Sequence, residues 1–171
     1  SILVSSKTIN ADNSKLTCRL SGLENHSPKR LIIDKNLKIN RNSHVIDDNN
    51  KKNTIIFHSS KDKEKIKFFT LKGIKLIYTD LDINNNINLN KVFSKVYNIG
   101  IGSIIIEGGK ILTKSVLGDK LINEFYLFKS KKKLGNSGKN NISDLKNKLK
   151  FLRKRERIET FLDGDKITRY H

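Results

Sequence analysis

An apolar run ends in an acid and two glycines at Ser103-Ile-Ile-Ile-Glu107-Gly108-Gly109, and Lys110-Ile111-Leu112-Thr113-Lys114-Ser115 continues it with helical character. The order reads as strand, sharp turn, helix. Two glycines let the backbone turn tightly and let a ligand approach closely. The first turn of the following helix offers N–H groups without intrahelical partners, which suits a phosphate. Glu107 is expected at the carboxyl end of a buried central strand, the edge where open α/β sheets bind ligands. An ordinary strand-to-helix turn would carry the same residues, so this motif alone assigns no ligand. The dinucleotide-binding glycine fingerprint is not formed here, because Gly100-Ile-Gly102 precedes the strand instead of following it.

A second polar segment is Val4-Ser-Ser-Lys-Thr8-Ile-Asn-Ala-Asp12-Asn-Ser-Lys-Leu16-Thr-Cys-Arg19-Leu20. It reads as a strand running into a polar loop that holds Thr8, Asp12 and Arg19. A carboxylate there can accept ligand hydroxyls or amides, and a guanidinium can grip a phosphate with two donors. Each residue taken singly also fits a solvated loop, where Asp, Asn and Ser make local turn bonds. No side chain stands out as a proton donor. Metal chemistry finds no support either, because His26, His44, His58 and His171 are scattered and no pair has zinc-ligand spacing beside Cys18, the single cysteine.

Short apolar runs alternating with helical patterns must position these residues, as in an α/β domain. Strands are expected at Ile2–Ser5, Arg30–Ile33, Thr54–His58, Lys75–Tyr78, Ser103–Ile106 and Glu124–Phe128. Continuous runs such as Leu31-Ile32-Ile33 and Ile104-Ile105-Ile106 suit strands covered on both faces. Helices are expected at Lys61–Lys72, Leu89–Ile99 and Lys110–Leu117. In the second, Leu89, Val92, Phe93, Val96 and Tyr97 follow helical spacing and should face the sheet. Asp163-Gly164 between Ile158–Leu162 and Lys166–Tyr170 signals a hairpin. The fold class is therefore α/β, with a mixed, mostly parallel central sheet flanked by helices and a C-terminal antiparallel hairpin. Asn40–Asn53, Asn84–Asn90 and Gly135–Asn141 read as surface loops.

The chain has 171 residues, 36% hydrophobic and 30% charged, which suits one domain. Lys and Arg number 35 against 17 Asp and Glu, a formal net charge of +18. Such a balance is the usual footprint of a nucleic-acid binder. Here the surplus is mostly Lys and travels with Asn and Ile, as A- and T-rich codons would produce. Stacking aromatics are not interleaved with Lys131-Lys132-Lys133 or Arg153-Lys154-Arg155. Composition drift is thus favoured over nucleic-acid binding. No apolar run reaches the roughly 18 residues of a membrane span, and Ser1-Ile-Leu-Val lacks the basic start of a signal peptide. A cytoplasmic location is expected. With no Met, and with its first residues already strand-like, the chain reads as an internal piece of a longer protein.

Taken together, "VSSKTINADNSKLTCRL", "RLIIDKNLKI", "IGSIIIEGGKILTKSVL" and "LINEFYLFKSKKKLG" resemble, in that order, the reductase domain of riboflavin biosynthesis. This is the carboxyl-terminal half of a bifunctional deaminase–reductase, with a fold like dihydrofolate reductase. The likeness spans nearly the whole chain as one reductase domain, lacking the family's first strand and helix. It implies NADPH-dependent reduction of the ribosyl group of 5-amino-6-(5-phosphoribosylamino)uracil to its ribityl product. By the same resemblance, Thr8, Asp12 and Gly109–Ser115 (Gly109, Lys110, Ile111, Leu112, Thr113, Lys114 and Ser115) would bind cofactor. Leu16, Arg19 and Glu107 would bind substrate, and a homodimer is expected. The sequence departs from the family pattern at Asn13-Ser14, Lys35 and Lys129–Lys133. Two rivals stand beside this reading: a related NADPH reductase with another pterin-like substrate, and a basic α/β module for nucleic acid.

Overall fold

The computed structural model describes residues 1–132, 145–159 and 164–171. Its contacts divide the chain into two compact units, Ser1–Leu112 and Thr113–His171. The first is built on five parallel strands in the order β4-β3-β2-β1-β5. These are β1 (Ile2–Ser5), β2 (Arg30–Ile33), β3 (Thr54–His58), β4 (Lys75–Tyr78) and β5 (Ile105–Ile106). The registers Ile2↔Arg30, Arg30↔Thr54 and Ile55↔Lys75 keep the strands level, so all five end at one edge.

Alternation along each strand divides the core between two faces. Val4, Ile32 and Ile56 pack with Ile9, Val45, Ile46 and Phe69 on one side. The residues from outside the sheet come from α1 (Ser6–Asp12), α2 (His44–Asp47) and α3 (Lys63–Leu71). Leu3, Leu31, Ile55 and Phe57 form the other face, covered by Ile87 and by Val92 and Val96 of α4 (Leu89–Asn98). Each fully buried side chain of this size contributes about 1.5–3 kcal/mol. Side chains also set the helix starts: Asp62 accepts the Lys65 N–H at 3.1 Å, and Asn88 accepts that of Lys91 at 3.1 Å. Lys72 caps α3, and Gly73 follows at φ +80.

Strands β1 to β4 have the bounds expected from sequence; other expectations in this unit need correction. The segment after β1 is a helix, α1, and not a loop. Its only buried apolar residue is Ile9, too little to produce a periodic signal. Asn40–Asn53 likewise contains α2, whose four residues bury Val45 and Ile46. Tyr97 is 77% exposed, because it lies about 100° around the helix from Val96 and misses the sheet.

The expected buried central strand at Ser103–Ile106 is only Ile105–Ile106, and it lies at the sheet edge. Ile104 and Ile106 pack on the α4 face, while Ile105 points the other way and is 64% exposed. Helix α5 (Lys110–Gly118) begins where expected.

The second unit holds the antiparallel strands β6 (Phe125–Lys129), β7 (Arg155–Ile158) and β8 (Lys166–Tyr170) in the order β6-β8-β7. They form their own sheet rather than joining the parallel one. Leu117, Leu145 and Leu149 are its buried core, with Phe125, Phe151 and Tyr170 against them; Leu145 opens α6 (Leu145–Lys148). β7 and β8 pair antiparallel as the hairpin signal predicts, but β7 shares only Ile158 with the expected Ile158–Leu162 run; residues 160–163 and the Gly135–Asn141 segment lie outside the described residues. Among the described residues, no helix is long and apolar enough to cross a membrane.

Candidate active site at the carboxyl edge of the parallel sheet

Because the five strands are parallel, the residues that leave them gather along one edge: Ser5 and Ser6, Asp34, His58, Thr79 and Glu107. This is the edge at which open α/β sheets present ligand-binding groups. Ser5 ends β1 and caps α1, with its Oγ 3.3 Å from the Thr8 N–H and 3.1 Å from Thr8 Oγ1. On the neighbouring strand, the Glu107 N–H donates to the Leu3 carbonyl at 3.0 Å. The pairing Leu3↔Ile106 then brings the exposed Glu107 alongside Val4, one residue before the Ser5 cap. Thr8 and Glu107 thus follow adjoining strand ends at the same edge.

The two glycines after Glu107 do different work. A Cβ on Gly108 would come within 2.9 Å of Leu112 Cβ, so Gly108 allows the turn to close onto a buried leucine. Beside Gly109 there is nothing within 4 Å of a Cβ position, and the residue is exposed. Open backbone directly before the first turn of α5 is a suitable approach for an anionic group. Lys110, Ile111 and Leu112 form that turn; Thr113, Lys114 and Ser115 follow on the same helix.

Buried and half-buried polar residues complete the edge, and sequence reasoning assigns none of them a role in the site. Asp34 is committed to its own loop, its carboxylate accepting the Ile39 N–H at 2.7 Å. His58 is 4% exposed, and among the described residues its Nδ1 has no hydrogen-bond partner. Its ring meets Tyr78 edge-on at 5.9 Å. Burial lowers the His58 pKa, with a backbone contact at Ser60 and the Asp34 charge opposing, so the imidazole is neutral at pH 7. Ser59 Oγ donates to the Thr79 carbonyl, and Lys35 Nζ to the Asn85 carbonyl at 2.5 Å. The available signal was positional: each is a polar residue at, or just after, the last residue of an apolar run.

Leu16 and Arg19 are placed elsewhere. Asp12 is the exposed last residue of α1, and Asn13 closes the helix at φ +46. From there the chain crosses to the amino end of β2, where the Lys15 carbonyl accepts from Arg30 Nη1 at 3.0 Å. Cys18 N–H donates to Ser27 Oγ at 3.2 Å, half-buried Leu16 packs on the α1 face, and Arg19 is exposed. The expected site residues therefore form two groups, Thr8 with Glu107 and Gly109, and Leu16 with Arg19. They are joined by α1, whose seven residues rise about 10 Å.

Residues 1–164 match the family described as the RibD C-terminal domain. The chain belongs to that family. Among curated relatives, the riboflavin biosynthesis protein RibD of Bacillus amyloliquefaciens is 30% identical over 127 residues, covering 74% of this chain and 33% of that protein. The RibD of Actinobacillus pleuropneumoniae is 25% identical over 134 residues, covering 78% and 35%. The chain thus spans about a third of the length of these relatives. In fold it is similar to a pyrimidine reductase-like protein from Corynebacterium diphtheriae (TM-score 0.72, 16% identity, 99% of this chain and 74% of that one). It is also similar to Acinetobacter baumannii RibD (TM-score 0.68, 18% identity, 99% and 46%). For a RibD C-terminal domain, the open backbone at Gly109, the α5 N-terminus and the hydroxyl pair Ser5–Thr8 fit the phosphate-bearing part of a nicotinamide cofactor.

Proposed function

We propose that this chain reduces the ribosyl group of 5-amino-6-(5-phosphoribosylamino)uracil to the ribityl product, with NADPH as reductant. When bound, the nicotinamide supplies a hydride. The protein's part is to bind and orient. The observation that carries the reading is the Glu107-Gly108-Gly109 turn opening α5 beside the Ser5–Thr8 pair, in a chain of the RibD C-terminal domain family. The start of α5 and Thr8 would take the cofactor's anionic groups, with Asp12 contacting it further along α1. Glu107, exposed at the same edge, would accept hydrogen bonds from substrate donors. Arg19, beyond the far end of α1, would hold the substrate phosphate, so the ligand would lie along the helix.

The test is loss of reduced-nicotinamide absorbance on adding this substrate to the protein with NADPH. Substrate-dependent oxidation is expected. Binding of neither ligand by fluorescence titration, together with no oxidation, would overturn the reading.

A further inference from the structure

The guanidinium of Arg30 is 1% exposed, and all of its donors are engaged. Nε donates to Thr54 Oγ1 at 3.0 Å. Nη1 reaches Asp48 Oδ2 at 2.6 Å, and Nη2 reaches Asp48 Oδ1 at 2.9 Å, a two-pronged charge-assisted pair. The remaining donors go to backbone carbonyls, Nη2 to Val45 at 3.4 Å and Nη1 to Lys15 at 3.0 Å. A second clasp holds the same cluster together, with Thr54 Oγ1 donating to the Val45 carbonyl at 2.8 Å.

A buried ion pair is weak support for stability in itself, since desolvation offsets most of its attraction; its surer effect is to fix geometry. The geometry fixed here is unusual. Leu16 takes left-handed backbone at φ +52, rare for a bulky side chain, three residues after Asn13 does so at φ +46 in closing α1. A residue such as Leu16 persists in this conformation where the surroundings hold it. The Lys15 carbonyl lies between these two residues, and Arg30 is the side chain that clasps it.

We infer that Arg30 is a positioning residue: through the Lys15 carbonyl it sets the path of Asn13–Arg19, and so the placing of Leu16 and Arg19 against the substrate. The second half of this rests on the function proposed above; the first half does not. Lysine at this position would keep a positive charge beside Asp48 and lose the planar fork that reaches Lys15, Val45 and Thr54 together.

Cys18 is the chain's single cysteine, half-buried within the segment, which makes thiol labelling a local probe that needs no ligand. The experiment compares Arg30→Lys with Thr54→Val, which disturbs the same cluster while leaving the Lys15 contact in place. In Arg30→Lys, Cys18 labelling should accelerate about tenfold or more, and substrate KM should rise between about ten- and a hundredfold. NADPH KM should change less than about threefold, and kcat less than KM. Thr54→Val should lower the melting temperature without either change. Unaltered Cys18 labelling in a folded Arg30→Lys protein overturns the inference. So does an equal rise in both KM values, or the same acceleration in Thr54→Val. If Arg30→Lys does not fold, Asp48→Asn, which frees the guanidinium from its fork partner, is judged by the same readouts. If the unaltered protein does not turn over this substrate, the proposed function fails, and Cys18 labelling still decides the positioning claim.

Discussion

At the residue scale, the two groups of site residues predict separable defects. Arg19 is exposed at the amino end of the sheet, and its proposed duty is a charge-assisted contact to phosphate. Arg19→Ala should weaken binding of the phosphorylated substrate by about 1.5–3 kcal/mol, roughly ten- to a hundredfold, and leave NADPH binding nearly unchanged. Asp12→Ala should hurt NADPH binding more than substrate binding. Paired titrations decide this, and equal losses for both ligands in both variants would contradict the assignment.

His58 makes a prediction of a different kind. Its pKa is lowered in the folded protein, chiefly by burial, and returns toward 6.5 on unfolding. The unfolded chain therefore binds more protons as pH falls through that range, and its contribution costs stability below about pH 6.5 and none above. Urea denaturation at pH 5 and pH 8 should show a smaller acid loss for His58→Phe than for the unaltered protein. An identical loss would place the acid sensitivity elsewhere.

Legibility followed local pattern at this scale. Glu107, Gly109 and Thr8 stood in recognisable strand-end contexts. Arg30 was hidden because its partners, Asp48, Thr54 and the Lys15 carbonyl, are 15–24 residues distant in sequence. No local pattern marks such a cluster.

At the scale of elements, the turn into α5 separates two adjacent glycines. Gly108→Ala pushes a Cβ to 2.9 Å from Leu112 Cβ and should destabilise by about 1–3 kcal/mol, as overpacking does. Gly109→Ala meets nothing and should cost no more than about 1 kcal/mol, mostly from a poorer helix start. Yet it should weaken NADPH binding, because the added methyl stands where the cofactor is proposed to approach. Thermal denaturation beside cofactor titration checks both; a Gly109→Ala protein with unchanged NADPH affinity would move the cofactor away from this turn. The strands β1 to β4 were read to the residue because each is a short apolar run bracketed by polar or turn residues. Helices α1 and α2 were missed because seven and four residues with one or two buried apolar side chains generate no usable period. The apolar run at Ile104–Ile106 misled in the opposite sense: composition says what a strand prefers to bury, and pairing decides whether a neighbour is there to bury it.

At the scale of the whole molecule, the net charge of +18 and the family membership point in different directions, and the proposed function rests on the second. Charge acts through the field of the entire protein and says little of fold. The proposed reaction is a transfer of hydride to the ribosyl carbon of a phosphoribosylaminouracil. It is tested most directly by incubating the protein with NADPH carrying deuterium at the transferred position of the nicotinamide and with that substrate, then analysing the product by mass spectrometry. The expected result is a ribityl product heavier than the substrate by one deuterium and one ordinary hydrogen, with the deuterium on the former ribosyl carbon. Unreduced substrate after full incubation, or a reduced product without the label, would contradict it.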